Sequence, residues 1–463
     1  MTLLLGIDLG TSYFKVGVFD PAGGLRGLGR VPVEKSAPHP GWAELEVGQF
    51  WTLLRTALGQ ALQQAQATPR DIAALSYSSQ ANTFVLLDRN GAALTPLVFW
   101  NDHRAEVPEA FARFGATESF QRTVGFAGVT AEAAVVKWHW YRRHKPAWWA
   151  QARRALTLSD YFTLALTGEP VGDASTAALL GMYDLRERGW WPMALAEFGV
   201  DPALLATPLA PGSASGRTSR GAERWLGLAA GVPFAVGGLD HHVAAIGSGL
   251  GVFADTSIST GTVLAALRIV AEIAPVPHCF HGPHGAGTGY YRLAFHPAGA
   301  GQLEQFQREF APGRTIAELI AAAAALPPGS RPAAARWSAS WGAEPAKAVR
   351  QLLEEIGWTH RSLIAAVAGG VPVRSIAATG GGARSAAWLA IKADLLGVPI
   401  VTLACPERAC LGAAVLAAVA AGRYPTIGEA ARAMVRPERT HQPDARRHAA
   451  YVASAPDRSA APV

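Results

Sequence analysis

Lysine and cysteine are scarce in this chain of 463 residues. Only six of its 41 basic residues are lysine, and it has three cysteines. Cys279, Cys405 and Cys410 cannot build a disulfide framework, which fits a reducing compartment. Charge is sparse as well: 16% of residues are Asp, Glu, Lys or Arg, with a formal net charge of +6. The basic residues are scattered, and Arg153–Arg154 and Arg446–Arg447 are no more than pairs. No basic stripe and no nucleic-acid-binding motif is present, so a nucleic-acid partner is not expected, although a positive field suits an anionic ligand. No apolar run approaches the roughly 18–20 residues that span a bilayer. The N-terminus opens directly into strand-like sequence without a basic leader and cleavage site. The expectation is a cytoplasmic protein with no membrane partner.

Three nucleotide and catalytic signatures are missing too. There is no G-x-x-x-x-G-K-[ST], no G-x-G-x-x-G and no G-x-S-x-G. P-loop, Rossmann and α/β-hydrolase readings therefore lack their carriers.

What is present is a repeated plan. Leu3–Asp20 reads LLLGIDLGTSYFKVGVFD, two strand-like runs around Asp8, Gly10, Thr11 and Ser12. Taken alone it is an ordinary hairpin with a polar turn. Such a turn also offers hydroxyls and backbone N–H groups to a phosphate chain, and glycine permits close approach. Asp8 is placed to hold Mg²⁺ through water, since that ion sheds water reluctantly. Asp255–Leu267 (DTSISTGTVLAAL) repeats strand, small turn and strand, with Thr260, Gly261 and Thr262 in the turn. Asp240 follows the strand Val232–Gly238, and Gly380, Gly381, Gly382 and Ala383 lie between a strand and a helix. Strands alternating with helices predict an α/β protein, and the echo predicts two similar halves divided near residues 243–252.

Together these pieces resemble the FGGY carbohydrate kinases of the actin-like, sugar kinase and Hsp70 superfamily. GIDLGTS-x-x-K matches the first phosphate motif, and WNDHRA (Trp100–Ala105) is similar to the sugar-side motif. DYFTLALTGE, GMYDLRERGW, GGLDHHVAAIGSG, STGT, TGGGARSAAWLAIKADLLGVPI and PERACLGAAVLAAVAAG also resemble family segments. The likeness covers roughly residues 3 to 440. It implies two actin-like (ribonuclease H-like) domains flanking an interdomain cleft. Their expected limits are 1–245 for the sugar-binding domain, 246–442 for the ATP-binding domain and 443–463 for a flexible tail.

The implied activity is ATP-dependent phosphorylation of a small sugar or polyol, with ATP and Mg²⁺ as cofactors. Asp240 is the implied general base, its alternative being a helix N-cap. The implied ATP contacts are Gly10, Thr11, Ser12, Lys15, Thr260, Gly261, Thr262, Gly301, Gln305 and Gly380–Ala383. Lys15 is open between a phosphate contact and a solvent-facing charge. Some family members carry Asn three residues after Ala383, where this chain has Ala386.

Gln80, Asn82, Trp100, Asn101, Asp102, Asp240 and His241 are the implied sugar contacts. Xylulose kinases read Q-M-H-G and glycerol kinases Q-R-E-T where this chain has Gln80, Ala81, Asn82 and Thr83. A ketopentose such as D-xylulose is the leading acceptor, followed by other ketoses and polyols. A catalytically silent sensor and an Hsp70-like or actin-like ATPase are the readings from other classes. The compact His278, Cys279, His281 and His284 invite zinc but lack a fourth ligand of known pattern. His241 and His242 are expected to shape the pocket or tune the base. A homodimer is left open.

Overall fold

The structure is a computed structural model that describes residues 2–261, 263–274, 276–285, 289–333 and 336–454. In chain order the elements that matter are β1 (Leu3–Leu9), β2 (Tyr13–Phe19), β3 (Leu25–Pro32), α1 (Val47–Ala65), β4 (Ile72–Ser79), β5 (Ala214–Arg217), β6 (Pro233–Ala235), β7 (Gly238–Leu239) and α2 (Asp240–Ile246). They continue with β8 (Thr256–Thr260), β9 (Leu264–Val270), α3 (Gly301–Phe310), α4 (Pro345–Ala368), β10 (Ile376–Thr379), α5 (Ala386–Leu396), β11 (Ile400–Leu403), α6 (Arg408–Ala420), β12 (Pro437–His441) and α7 (Ala445–Ala453).

The chain divides into two compact units. The first is Met1–Gly247 with Ile269–Arg292 and Cys405–Arg436; the second is Ser248–Arg268, Leu293–Ala404 and Pro437–Val463. The first break falls within two residues of the division expected at 245/246, and the chain then returns twice to the first unit.

The sheet of the first unit runs β5-β6-β4-β1-β2-β3, with β7 pairing the end of β4. β1 is antiparallel to β2 and parallel to β4. All seven residues of β1 are buried, which requires cover on both faces. One cover is α1, whose Phe50, Trp51, Leu54, Leu58 and Leu62 recur at helical spacing. It settles onto β3 because Gly27 and Gly29 have no side chain there. A Cβ at Gly29 would stand 1.7 Å from the Ala57 carbonyl oxygen. The other cover is α6. A Cβ at Gly6 would stand 1.9 Å from the Cys410 carbonyl oxygen, and one at Gly17 would stand 3.0 Å from Cys410 Cβ. Side chains alternate along a strand. Asp8 therefore shares the α6 face with Gly6, and Lys15 shares it with Gly17.

Helix α2 docks on α6 with equal closeness. A Cβ at Gly247 would lie 1.9 Å from the Arg408 carbonyl oxygen, and one at Gly412 would lie 1.9 Å from that of Val243. Asp240 is the first residue of α2, so this docking fixes where its carboxylate begins.

The second unit repeats the plan. β8 is antiparallel to β9 and parallel to β10, which continues through β11 to β12. Leu264, Phe306, Trp341, Leu352, Leu353 and Trp388 belong to its core.

Two stretches differ from expectation. Pro208–Arg220, whose Pro, Gly and Ser content suits a loop, contributes β5 at the sheet edge, with a register irregularity between Ala214 and Arg217. Residues 443–463, expected as a flexible tail, carry α7. Its Tyr451 is buried, accepts from Arg350 Nη2 (2.6 Å) and donates to Glu354 Oε1 (2.8 Å). Residues 455–463 lie outside the described residues. No described helix is long and apolar enough to cross a membrane.

Candidate active site

The strand register assembles a charged group on the α6 face of the first unit. Asp8 lies directly across from Lys15 on β2 and from Ser78 on β4. Ser78 Oγ donates to Asp8 Oδ1 (3.1 Å), and Lys15 Nζ stands 3.4 Å from Asp8 Oδ2. Lys15 Nζ also pairs with Glu407 Oε2 at 3.1 Å, just before α6. Burial raises the Asp8 pKa, Lys15 and the Ser78 hydroxyl oppose the rise, and Asp240 adds to it. Burial pulls the Lys15 pKa down, but Asp8 and Glu407 outweigh it and hold the ammonium charged. Lys15 is thus neither a free surface charge nor an unpaired cation.

The turn after β1 connects to the residues expected on the sugar side. Trp100 Nε1 donates to Thr11 Oγ1 (2.9 Å), and Thr11 Oγ1 donates to Gln80 Oε1 (3.0 Å). Gln80 Nε2 returns to the Gly10 carbonyl (3.2 Å), and Thr83 Oγ1 also donates to Gln80 Oε1 (3.0 Å). Lys137, fully buried, donates to the Trp100 carbonyl (2.9 Å) and the Glu132 carbonyl (2.7 Å). Burial lowers its pKa to about 8, against the pull of Asp102 and Glu132. Ser12 is exposed at the tip of the turn.

The sugar-side residues are not equally free. Asp102 is 0% exposed. Its oxygens accept from the Ala43 backbone N–H (2.7 Å), the Arg104 backbone N–H (3.1 Å) and the Arg104 guanidinium (2.7 and 2.8 Å). It anchors the loop and presents no free oxygen. Asn82 adopts φ +59°, donates to the Leu179 carbonyl (3.4 Å) and accepts from the Ala134 N–H (3.1 Å). Asn101 Oδ1, by contrast, is buried without a hydrogen-bond partner. Trp100 is half-buried, with its indole N–H engaged by Thr11.

Asp240 is half-buried, and its Oδ1 accepts the His241 backbone N–H (2.7 Å). His241 is half-buried. His242 is fully buried, stacks on Tyr291 (4.8 Å between ring centroids, 28°) and meets His284 (Nε2 to Nδ1, 2.8 Å). Burial lowers the pKa of both, that of His284 to about 4. His281 is engaged elsewhere: its Nδ1 lies 2.7 Å from the Gly125 carbonyl, and its Nε2 accepts from Arg292 Nε (3.0 Å). Cys279 is a free buried thiol. Among the described residues no group of three His, Cys, Asp or Glu is arranged to hold a metal ion.

In the second unit, the end of β8 meets the glycine run. A Cβ at Gly380 (φ +79°) would lie 2.6 Å from the Thr260 carbonyl oxygen, and one at Gly382 would lie 2.6 Å from Thr260 Cγ2. Gly381 has open space on its Cα. Ala383 is buried, and Ser385 caps α5 through the Trp388 N–H (3.3 Å). Gly261 accepts the Ala300 N–H on its carbonyl (2.8 Å) and so joins the turn to the start of α3. Gly301 is exposed there, and Gln305 points to Glu309 on the same helix (3.0 Å). Thr262 lies outside the described residues.

Three participants escape sequence reasoning. Glu407 is legible only as part of a family-like helix start, Ser78 as one polar residue in a buried strand, and Lys392 as a charge in an apolar helix. The last is buried and donates to Thr260 Oγ1 (2.5 Å).

Two α/β units share one hairpin-plus-parallel-strand plan, with small hydroxyl- and glycine-bearing turns. One of them carries clustered carboxylates. These features define a phosphotransferase of the actin-like fold. The chain belongs to the FGGY family of carbohydrate kinases: residues 3–247 match its N-terminal domain and residues 303–421 its C-terminal domain. It is an ATP-dependent phosphotransferase acting on a sugar hydroxyl. It is 27% identical to the autoinducer-2 kinase of Escherichia coli K12, with 97% of this chain and 92% of that protein covered. It is also 27% identical to the glycerol kinase of Bordetella parapertussis, over 95% and 92%. The ligand-bound xylulose kinase of Lactobacillus acidophilus superposes with a TM-score of 0.85 at 21% identity, covering 98% of this chain and 96% of that one.

Proposed function

We propose that this kinase transfers the ATP γ-phosphoryl group to a hydroxyl of a ketopentose, D-xylulose foremost, with Asp240 as general base. The observation that supports the assignment is the half-buried Asp240 carboxylate at the start of α2, a helix packed backbone to backbone on α6, the helix that also covers Asp8 and Lys15. One carboxylate then serves the acceptor hydroxyl and the other serves the cation that accompanies the phosphates.

The transition state of phosphoryl transfer is loose, so proton removal comes late and a carboxylate is basic enough. Asp240 orients the acceptor oxygen and takes its proton as the new P–O bond forms. The residues present suit Mg²⁺ held through water. Asp8 is a single buried carboxylate flanked by Ser78 and Lys15, and no described cluster offers the several direct ligands a dehydrated ion needs. When bound, that ion neutralises phosphate charge. Thr11, Ser12 and the backbone at Gly10 contact phosphate in the first unit, as Thr260, Gly261 and Thr262 do in the second. Gly380–Ala383 lie along the adenosine, and Gly301 and Gln305 add phosphate-side contacts.

For the acceptor, Asn101 Oδ1 is the acceptor group still unfilled, and Trp100 supplies an aromatic face. Gln80, Asn82, Asp102 and His241 shape the same pocket. Asp102 and Asn82 do so by anchoring, since their polar atoms are already engaged. That engagement also favours a second reading: with neither the His nor the Arg-Glu pair at this position, the acceptor is another ketose or a polyol. The relatives acting on autoinducer-2 and on glycerol support the same latitude.

The test is ADP release across a panel of ketoses and polyols. D-xylulose is expected to give the highest kcat/KM, and Asp240→Asn is expected to lower kcat by about 10³-fold with the fold intact. Near-full turnover by that variant would remove Asp240 from its role.

A further inference from the structure

The residue ahead of Asp240 is held from the side. Leu239 is buried, and its backbone N–H donates to Ser175 Oγ at 2.7 Å, across 64 positions of chain. Ser175 is fully buried in the short helix Ala174–Ala177. Its hydroxyl proton goes to Asp173 Oδ1 (2.7 Å). The oxygens of Asp173, also fully buried, accept from the Thr176 backbone N–H and the Thr176 hydroxyl, each at 2.7 Å. With its proton committed to the carboxylate, the Ser175 oxygen has only lone pairs to offer, and Leu239 takes one. Gly238 makes room for this approach: a Cβ there would stand 2.8 Å from Ser175 Oγ. A buried N–H must find an acceptor. Here the acceptor is a side chain whose own orientation is fixed.

We propose that Ser175, oriented by Asp173, is a positioning residue for Asp240: it fixes the segment of backbone from which the carboxylate projects. This rests on the reading of Asp240 as general base. Leu239 is non-helical (φ −53°, ψ 134°), and Asp240 opens α2 directly after it. The chain at Asp240 is therefore pinned on both sides. Ahead of it is the Ser175 bond, and behind it is the docking of α2 on α6 at Gly247 and Gly412. Ser175 also reaches α2 a second time. Its carbonyl accepts the Tyr291 hydroxyl (3.1 Å), and Tyr291 stacks on His242, two residues after Asp240. Without the first pin the body of α2 stays docked while its first residue is free to turn. A reacting group misplaced by about 1 Å costs on the order of 10² in rate.

Other buried hydroxyls of the same core make different bonds. Ser159 Oγ lies 3.0 Å from Thr157 Oγ1 and 3.1 Å from Thr176 Oγ1. Thr163 Oγ1 donates to the Ser159 carbonyl (2.9 Å) and lies 3.4 Å from the Tyr77 hydroxyl. None of these bonds reaches β7 or α2, so loss of the Thr163 hydroxyl perturbs the core without touching the segment that carries Asp240.

The experiment is ADP release by the full chain at saturating Mg·ATP and acceptor, for the wild type, Ser175→Ala, Asp240→Asn and the double variant. The acceptor is the member of a panel of ketoses and polyols, D-xylulose first, that gives the highest kcat/KM. Ser175→Ala is expected to lower kcat about 30-fold and to leave the KM for ATP within about twofold. In the Asp240→Asn background the same change is expected to lower the residual kcat by no more than about twofold, because nothing is left to position. Thr163→Val is expected to keep kcat within about twofold of the wild type. Ser175→Cys fills the same slot with a weak acceptor and is expected to lose kcat likewise, so it carries the comparison if the alanine variant does not fold. A kcat unchanged by substitution at Ser175, an equal loss in both backgrounds, or an equal loss in Thr163→Val overturns the role of Ser175 alone. Near-full turnover by Asp240→Asn, or no acceptor-dependent ADP release across the panel, overturns that role and the reading of Asp240 together.

Discussion

Lys15 carries one charge between two carboxylates, and that arrangement sets the acid behaviour expected of Asp8. Burial alone pushes the Asp8 proton on, and the ammonium 3.4 Å away opposes it. Replacing Lys15 with Met leaves burial and Asp240 unopposed by charge, so the Asp8 pKa rises further. The acid limb of kcat/KM is expected to move to higher pH by about one unit, read from a pH–rate profile; an unmoved limb contradicts the pairing. At this scale the sequence is informative where a residue's role follows from its immediate neighbours. Asp8, Thr11 and Asp240 are singled out by the small, glycine-bearing segments around them. Glu407 and Lys392 are not, because their partners Lys15 and Thr260 are more than a hundred positions away in the chain. The opposite case is Asp102, whose type and motif suggest a ligand contact but whose oxygens are filled by Arg104 and Ala43.

At the scale of elements, the placement of Asp240 depends on two helices meeting backbone to backbone at Gly247 and Gly412. Alanine is a better helix former than glycine by about 1 kcal/mol, which would ordinarily favour Gly412→Ala in α6. A Cβ 1.9 Å from the Val243 carbonyl reverses the sign, since overpacking of this kind costs about 3 kcal/mol and must part the helices. Thermal melts are expected to show a lower Tm for Gly412→Ala, with kcat falling as the start of α2 shifts. Gly59→Ala is the control. It lies in α1 with nothing within 4 Å of its Cβ and is expected to stabilise by about 0.5–1 kcal/mol. Equal effects of the two substitutions would contradict the packing. Strand alternation makes β1, β2 and β4 readable in the sequence, and apolar spacing does the same for α1. Helix α7 is unreadable because its single buried anchor, Tyr451, finds Arg350 and Glu354 about a hundred residues back. β5 is equally hidden, since only pairing with β6 makes a Ser- and Gly-rich segment a strand.

For the molecule as a whole, the buried lysines give stability a definite slope with pH. Lys392 and Lys137 have folded pKa values of about 7 and about 8, below the unfolded value of about 10.4. Between pH 7 and 8.5 the unfolded chain therefore binds more protons, and stability rises with pH. The slope from Lys392 approaches about 1 kcal/mol per pH unit. Urea midpoints are expected to rise across that window in the wild type and to rise less in Lys392→Met; parallel curves would contradict the burial of an uncompensated charge. The general plan of the molecule, two α/β units each built on a hairpin and a parallel strand, was visible in the echo between Leu3–Asp20 and Asp255–Leu267. The return of residues 405–436 to the first unit was not, because it depends on Gly6 and Gly17 admitting α6 to the far face of a sheet formed four hundred residues earlier.

The central claim is that this chain uses ATP to phosphorylate a small sugar through Asp240. It is tested most directly by sugar-dependent ADP release measured for the wild type and Asp240→Asn on the same panel of ketoses and polyols. The prediction is ADP formation that requires an acceptor, is greatest with D-xylulose, and falls about 10³-fold in the variant. ADP formation indifferent to every acceptor, or a variant as active as the wild type, would contradict it.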